Sequence, residues 1–297
     1  MSTKRILQLS AVLLLLSAAA DILSVATNLR EILSTPALAR VFFNPSHPMH
    51  NPEGLRVYGI TVFSAVAKLV TGILALRQSM VSGKATVCKI FAIATVLLSV
   101  YTLRFTFLSQ AFSPIPNFIG MLAVVLILSA LAYSGAGKMK ALRITVGIAV
   151  LCWALLNLMY PCFLILNLQA NYSFLSANIS VLTGSLDPRL QMYAEQFRSS
   201  VGKILSVGIP NFVLLLLTGI TALISSAKPK LTRVSLVAAV LAAVSCCALL
   251  LLPHPDYLQQ HALAFPAMGI AVCAVCIVSM LLREKPAAPA EENTCAE

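Results

Sequence analysis

Acidic side chains are scarce in this chain. Asp and Glu together number 10 among 297 residues, against 21 Lys and Arg, and charged residues of both signs make up only 10%. A soluble domain carries about 25% charged residues, so this composition lacks the means to cover a water-facing surface of ordinary size. Catalytic signatures are lacking as well. There is no hydrolase elbow, no HExxH, no phosphate-binding loop and no pair of carboxylates within the apolar runs, so neither an enzyme nor a bound cofactor is expected. The outer gaps identified below contain no cysteine, which excludes a disulfide-stapled exterior: Cys88, Cys152, Cys162, Cys246, Cys247, Cys273 and Cys276 lie in or beside apolar runs and Cys295 lies in the tail. They read as buried small hydrophobes, including Cys273-x-x-Cys276, whose redox spacing comes without a strand or a helix N-terminus to activate a thiol.

What the chain has is hydrophobicity: 59% of its residues are apolar. Runs at about 6–28, 57–76, 89–110, 117–134, 143–168, 203–225, 233–252 and 263–282 each approach the roughly 20 residues needed to span a hydrocarbon core. The first resembles a signal peptide up to Ala20, but its apolar pattern continues to Leu29, so it is read as a retained helix. An all-α polytopic membrane protein of eight transmembrane helices is expected, with the lipid bilayer as its first partner. The net charge of +11 is spread over short gaps rather than gathered on one soluble face, so nucleic acid is not a partner.

Alternate gaps test the segmentation. Lys4 and Arg5, then Arg77, Lys84 and Lys89, then Lys138, Lys140 and Arg143, then Lys228, Lys230 and Arg233 fall in every second gap with no acid among them. The intervening gaps are nearly neutral, so the positive-inside rule predicts both termini to be cytoplasmic and the protein to sit in the cell membrane. Long outer gaps follow the first and fifth helices, at about 29–56 and 169–202. Thr35-Pro36 and Asp187-Pro188 are helix-start signals within them, each predicting a short helix on the outer membrane surface. The second gap also holds Asn171-x-Ser173 and Asn178-x-Ser180, glycosylation acceptors in a eukaryotic secretory route.

That loop plan divides the chain into two four-helix units, 1–138 and 139–285, followed by a proline-rich disordered tail at 286–297. Matches in order support a duplication: Thr71-Gly72-Ile73 with Thr218-Gly219-Ile220, Glu53-x-Leu55-Arg56 with Glu195-x-Phe197-Arg198, and Gly120-Met121 with Gly269-Ile270. Four is an even number, so both units would have the same orientation in the membrane.

Polar residues within the spans nominate a site. Ser10, Ser17, Asp21, Ser24 and Asn28 share one face of the first helix, and Thr61, Ser64, Lys68 and Thr71 share one face of the second. A charge inside hydrocarbon costs several kcal/mol unless it meets a partner or water, so both faces are expected to look inward. Counting about 1.5 Å of rise per residue from the basic flanks puts Asp21, Arg104, Asn157 and Asn211 at one level and Lys68 about 10 Å lower. Arg104 is thereby the better height match for Asp21, unless it snorkels outward. Lys68, Asp21, Arg104, Asn157 and Asn211 are the candidate binding residues for a small solute, weakly favoured as an anion. The alternative is a non-transporting membrane subunit or sensor whose outer loops bind a partner. His47, His50 and Glu53, or His254 and Asp256, could supply metal ligands, but their spacing matches no metal motif and no metal is expected.

Overall fold

A computed structural model describes residues 3–47, 52–81, 85–109, 113–134, 138–158, 188–252 and 259–282. Within them the structure is all-helical: α1 (Thr3–Ser34), α2 (Pro36–Phe43), α3 (Pro52–Met80), α4 (Thr86–Ser109), α5 (Ile115–Tyr133), α6 (Lys138–Leu158), α7 (Pro188–Ala227), α8 (Thr232–Leu250) and α9 (Gln259–Leu281). All but α2 are long and apolar enough to cross a membrane, which makes this a multi-pass membrane protein.

Proline sets several helix starts. Pro36, Pro52 and Pro188 open α2, α3 and α7, and Pro116 lies in the first turn of α5, where a missing N–H removes no intrahelical bond. Thr35 occupies the expected cap position of α2, yet its hydroxyl makes no capping bond. At the second signal the expectation fails in form. No separate short helix follows Asp187; Pro188 begins one continuous helix of 40 residues that runs on into the membrane span. The amphipathic face at Leu190 to Val201 and the apolar run after it share one helical period, so nothing in between breaks the helix. Pro210 lies within α7 without ending it. The sequons at Asn171 and Asn178, with Pro161, His50, His254, Asp256 and the tail from 283, lie outside the described residues.

The packing inverts that of a water-soluble protein. Large apolar side chains such as Leu16, Leu23, Phe63 and Leu97 point outward, while Ser10, Ser17, Asp21, Thr61, Ser64, Lys68, Thr71, Thr95 and Ser99 are buried. In hydrocarbon this is the favourable arrangement, because polar groups find partners only inside the bundle. The α1–α3–α4–α5 group has an apolar floor of Leu7, Leu14, Val124 and Ile127. A second core joins α5 to α6 and α9, where Phe118, Trp153 and Phe265 meet with ring centroids 4.9–5.5 Å apart.

Glycines mark the close crossings. A Cβ on Gly72 would lie 2.8 Å from Leu15 and 3.3 Å from the Ala11 carbonyl, and one on Gly219 would lie 2.6 Å from Leu151 and 3.1 Å from the Gly147 carbonyl. Leu15 and Ala11 stand to Leu151 and Gly147 at a fixed offset in sequence. The same offset relates Ser17 to Trp153, the neighbours that a Cβ on Gly120 and on Gly269 would meet at 2.8 and 3.1 Å. Buried positions recur likewise: Cys88, Ala92, Thr95 and Ser99 on α4 keep the spacing of Ser235, Ala239, Ala242 and Cys246 on α8.

Candidate functional site

The inward stripe of α1 meets that of α3 at Asp21 and Lys68. Lys68 Nζ donates to Asp21 Oδ2 at 2.6 Å and to Asn117 Oδ1 at 2.8 Å; Lys68 has no exposed surface and Asp21 only 4%. This corrects the expectation from residue counting, which set the pair too far apart and preferred Arg104 for Asp21. Heights counted from basic flanks assume that all helices begin at one level, whereas α1 is 32 residues long and its register is fixed by the Gly72 crossing. That crossing levels Gly72 with the Ala11–Leu15 turn, so the Lys68 backbone sits near Ser17, about 6 Å below Asp21. A lysine stem covers that distance. Arg104 lies on α4, and its side chain is outside the described residues.

Asn117, which sequence reasoning passed over, completes the cluster from the first turn of α5. Its signal was present in Pro114-Ile115-Pro116, which starts a helix at that point and brings the next residue into the bundle at its first turn. Ser17 ties the same turn to α1, its hydroxyl donating to the Pro116 carbonyl at 2.6 Å. Gly120, one turn further on, leaves the space through which the Lys68 stem passes: a Cβ there would meet Ser17 Oγ at 2.8 Å and Lys68 Cε at 2.9 Å.

Below the ion pair, Thr71 and Thr95 hydroxyls meet at 2.7 Å and fix α3 against α4. Outward from that contact, on antiparallel helices, come Ser99, one turn from Thr95, and Ser64, two turns from Thr71 and one turn beyond Lys68. Both hydroxyls are fully buried, and neither has a hydrogen-bond partner among the described residues. Buried hydroxyls are normally satisfied, so the space beside Lys68 has polar capacity to spare.

The other candidate residues come together separately. Asn157 Nδ2 on α6 donates to Asn211 Oδ1 on α7 at 2.6 Å, and Asn211 Nδ2 donates to Cys246 Sγ on α8 at 3.1 Å. By the sequence offsets of the glycine contacts and buried positions above, Asn157 corresponds to Asp21, Asn211 to Ser64, Cys246 to Ser99 and Leu215 to Lys68. Among the described residues, Lys68 and Asp21 thus belong to a charged cluster and Asn157 and Asn211 to a separate neutral one. Cys246, taken from sequence as a plain hydrophobe, is an acceptor in the neutral one. Among the described residues, no three or more His, Cys, Asp or Glu side chains are grouped to hold a metal ion.

With both clusters placed, the chain can be compared with known proteins: no family model, no curated protein and no solved structure matches it.

Proposed function

We propose that this multi-pass membrane protein is a transporter for a small anionic solute, with Lys68 and Asp21 at the centre of its site and the structure in a closed state. One observation carries the reading. Where α1 and α3 use an ion pair, α6 and α7 join at the corresponding level through two neutral asparagines. Helix association therefore does not require charge at this level. A buried ion pair is moreover a poor device for stability, since an apolar or neutral replacement often does as well. An ionisable residue held in hydrocarbon is by default a candidate for an ion or solute site. The chemistry follows from the contacts. An anionic group entering between α3 and α4 takes the place of Asp21 beside the Lys68 ammonium, and the Asp21 carboxylate takes up a proton as it leaves, so the net charge in hydrocarbon is unchanged. Ser64 and Ser99 supply two donors to the incoming oxygens.

Parallel duplication of a four-helix unit, cytoplasmic termini and residence in the cell membrane belong to the same proposal. The recurring glycine contacts and buried registers support the first, and the alternation of basic gaps supports the second and third. We propose no enzymatic activity.

A competing reading, a non-transporting subunit, is favoured by the complete burial of Lys68 with two bonds made. Ser64→Cys in a chain freed of its native cysteines separates the two without disturbing the ion pair. Labelling of Cys at 64 in intact membranes by a membrane-impermeant thiol reagent is expected of the transporter. A correctly inserted protein that stays unlabelled from either side overturns it.

A further inference from the structure

Away from the polar cluster, a cavity of about 710 Å³ opens between α4, α5 and α6, with α9 at its far end. It begins at Lys89 and Ala141 and extends along α6 to Leu156, a rise of about 22 Å over those fifteen residues. Its lining is apolar except for Lys89 and Thr145, and the Thr145 hydroxyl is already bonded to the Ala141 carbonyl at 2.9 Å. Trp153 lies against its inner wall.

A thin flexible chain fits the volume, and the length is that of one long acyl chain. The mouth selects the head. Lys89 is exposed in the first turn of α4 and puts a positive charge at the mouth of the groove. It lies at the end of the bundle where Lys4, Gln78 and Ser134 also gather.

We propose that this groove is a binding site for an anionic phospholipid of the leaflet at the basic end, one acyl chain lying along α6 and the headgroup phosphate paired with Lys89. The proposal stands on the multi-pass fold alone and is independent of any transport role.

The sole tryptophan of the chain provides the readout. The full-length protein in nanodiscs is titrated with phosphatidylglycerol brominated in mid-chain and, separately, with phosphatidylcholine carrying the same bromination, while Trp153 fluorescence is followed. The anionic lipid is expected to half-quench at about fivefold lower mole fraction, the worth of one lysine–headgroup attraction. Lys89→Gln is expected to remove that preference. Ala149→Phe and Thr145→Phe, which fill the groove from α6, are each expected to reduce quenching by both lipids. Monodisperse elution identifies folded variants, and either filling variant suffices. Equal quenching by the two lipids overturns the proposal, as does a preference that survives Lys89→Gln or quenching unchanged in a folded filling variant. The first of these outcomes means annular contact only.

Discussion

An ammonium with no contact with solvent persists in hydrocarbon only while its partners stay, and Lys68 has two, Asp21 at 2.6 Å and Asn117 at 2.8 Å. Removing one member of such a pair strands the other charge, at about 3–5 kcal/mol. Lys68→Met and Asp21→Asn are each expected to lower thermal stability by that order, and the double variant Asp21→Asn/Lys68→Met by clearly less than either. Thermal unfolding of the three purified proteins, followed by near-ultraviolet circular dichroism, checks the order. A double variant no more stable than the singles would mean that the ion pair contributes directly to stability, removing the main argument for a functional role. The stripes on α1 and α3 were legible in the sequence because helical spacing alone puts Ser17, Asp21, Ser64 and Lys68 on inward faces. The pairing was not legible. It depends on the Gly72 crossing, which slides one helix past the other, and a count from chain ends carries no information about such a slide.

Between elements, the same glycines give a graded test. Gly219 and Gly72 face a leucine and a backbone carbonyl, and a backbone carbonyl gives way at greater cost than a side-chain tip. Gly219→Ala is expected to destabilise by about 1–3 kcal/mol and Gly72→Ala by somewhat less, in the order of their contacts at 2.6 and 2.8 Å. Gly59 and Gly202, also helical, have nothing within 4 Å of the point where an alanine methyl would lie, and alanine there is expected to be neutral or to stabilise by up to about 1 kcal/mol. Midpoints of thermal aggregation for the four variants decide it. The spans themselves were readable from length and hydropathy, since hydrocarbon permits little but helices. The start of α7 was readable at Asp187-Pro188, but its continuity was not: a start signal says where a helix begins, and only the lack of a break in the next 40 residues says that it never stops.

Converting one cluster into the other tests the correspondence between them. Asp21→Asn, Ser64→Asn, Lys68→Leu and Ser99→Cys together give α1, α3 and α4 the side chains that α6, α7 and α8 carry at those levels. If the two clusters occupy equivalent frames, the fourfold variant should insert and elute as the wild type does, with the neutral hydrogen-bond chain in place of the ion pair and any uptake lost. Misfolding of the fourfold variant, with each neutral replacement at Asp21 and Lys68 tolerated in the double, would show that the two frames differ in spacing despite their common register.

For the molecule as a whole, the first four spans meet the last four in an apolar core that has an aromatic contact within it. Phe118 on α5 meets Trp153 on α6 edge-on at 5.5 Å and Phe265 on α9 edge-on at 4.9 Å. The covalent link lies at 135–137, between Ser134 and Lys138. A unit that arose by duplication should insert by itself and recognise its fellow through those rings, because each group of four already buries its own polar stripe. Residues 1–135 and 138–297 expressed as separate chains are therefore expected to insert and to co-purify through a tag on either one. Phe118→Ala, which withdraws the ring both aromatic partners share, is expected to weaken that association by about 3 kcal/mol, a loss of more than a hundredfold in the fraction co-purified under dilute conditions. Co-purification unaffected by Phe118→Ala would place the joint elsewhere, along the lipid-facing groove beside Lys89. Halves that insert only when covalently linked would mean that the recurring registers reflect a shared way of packing helices in hydrocarbon rather than two copies of one self-sufficient unit.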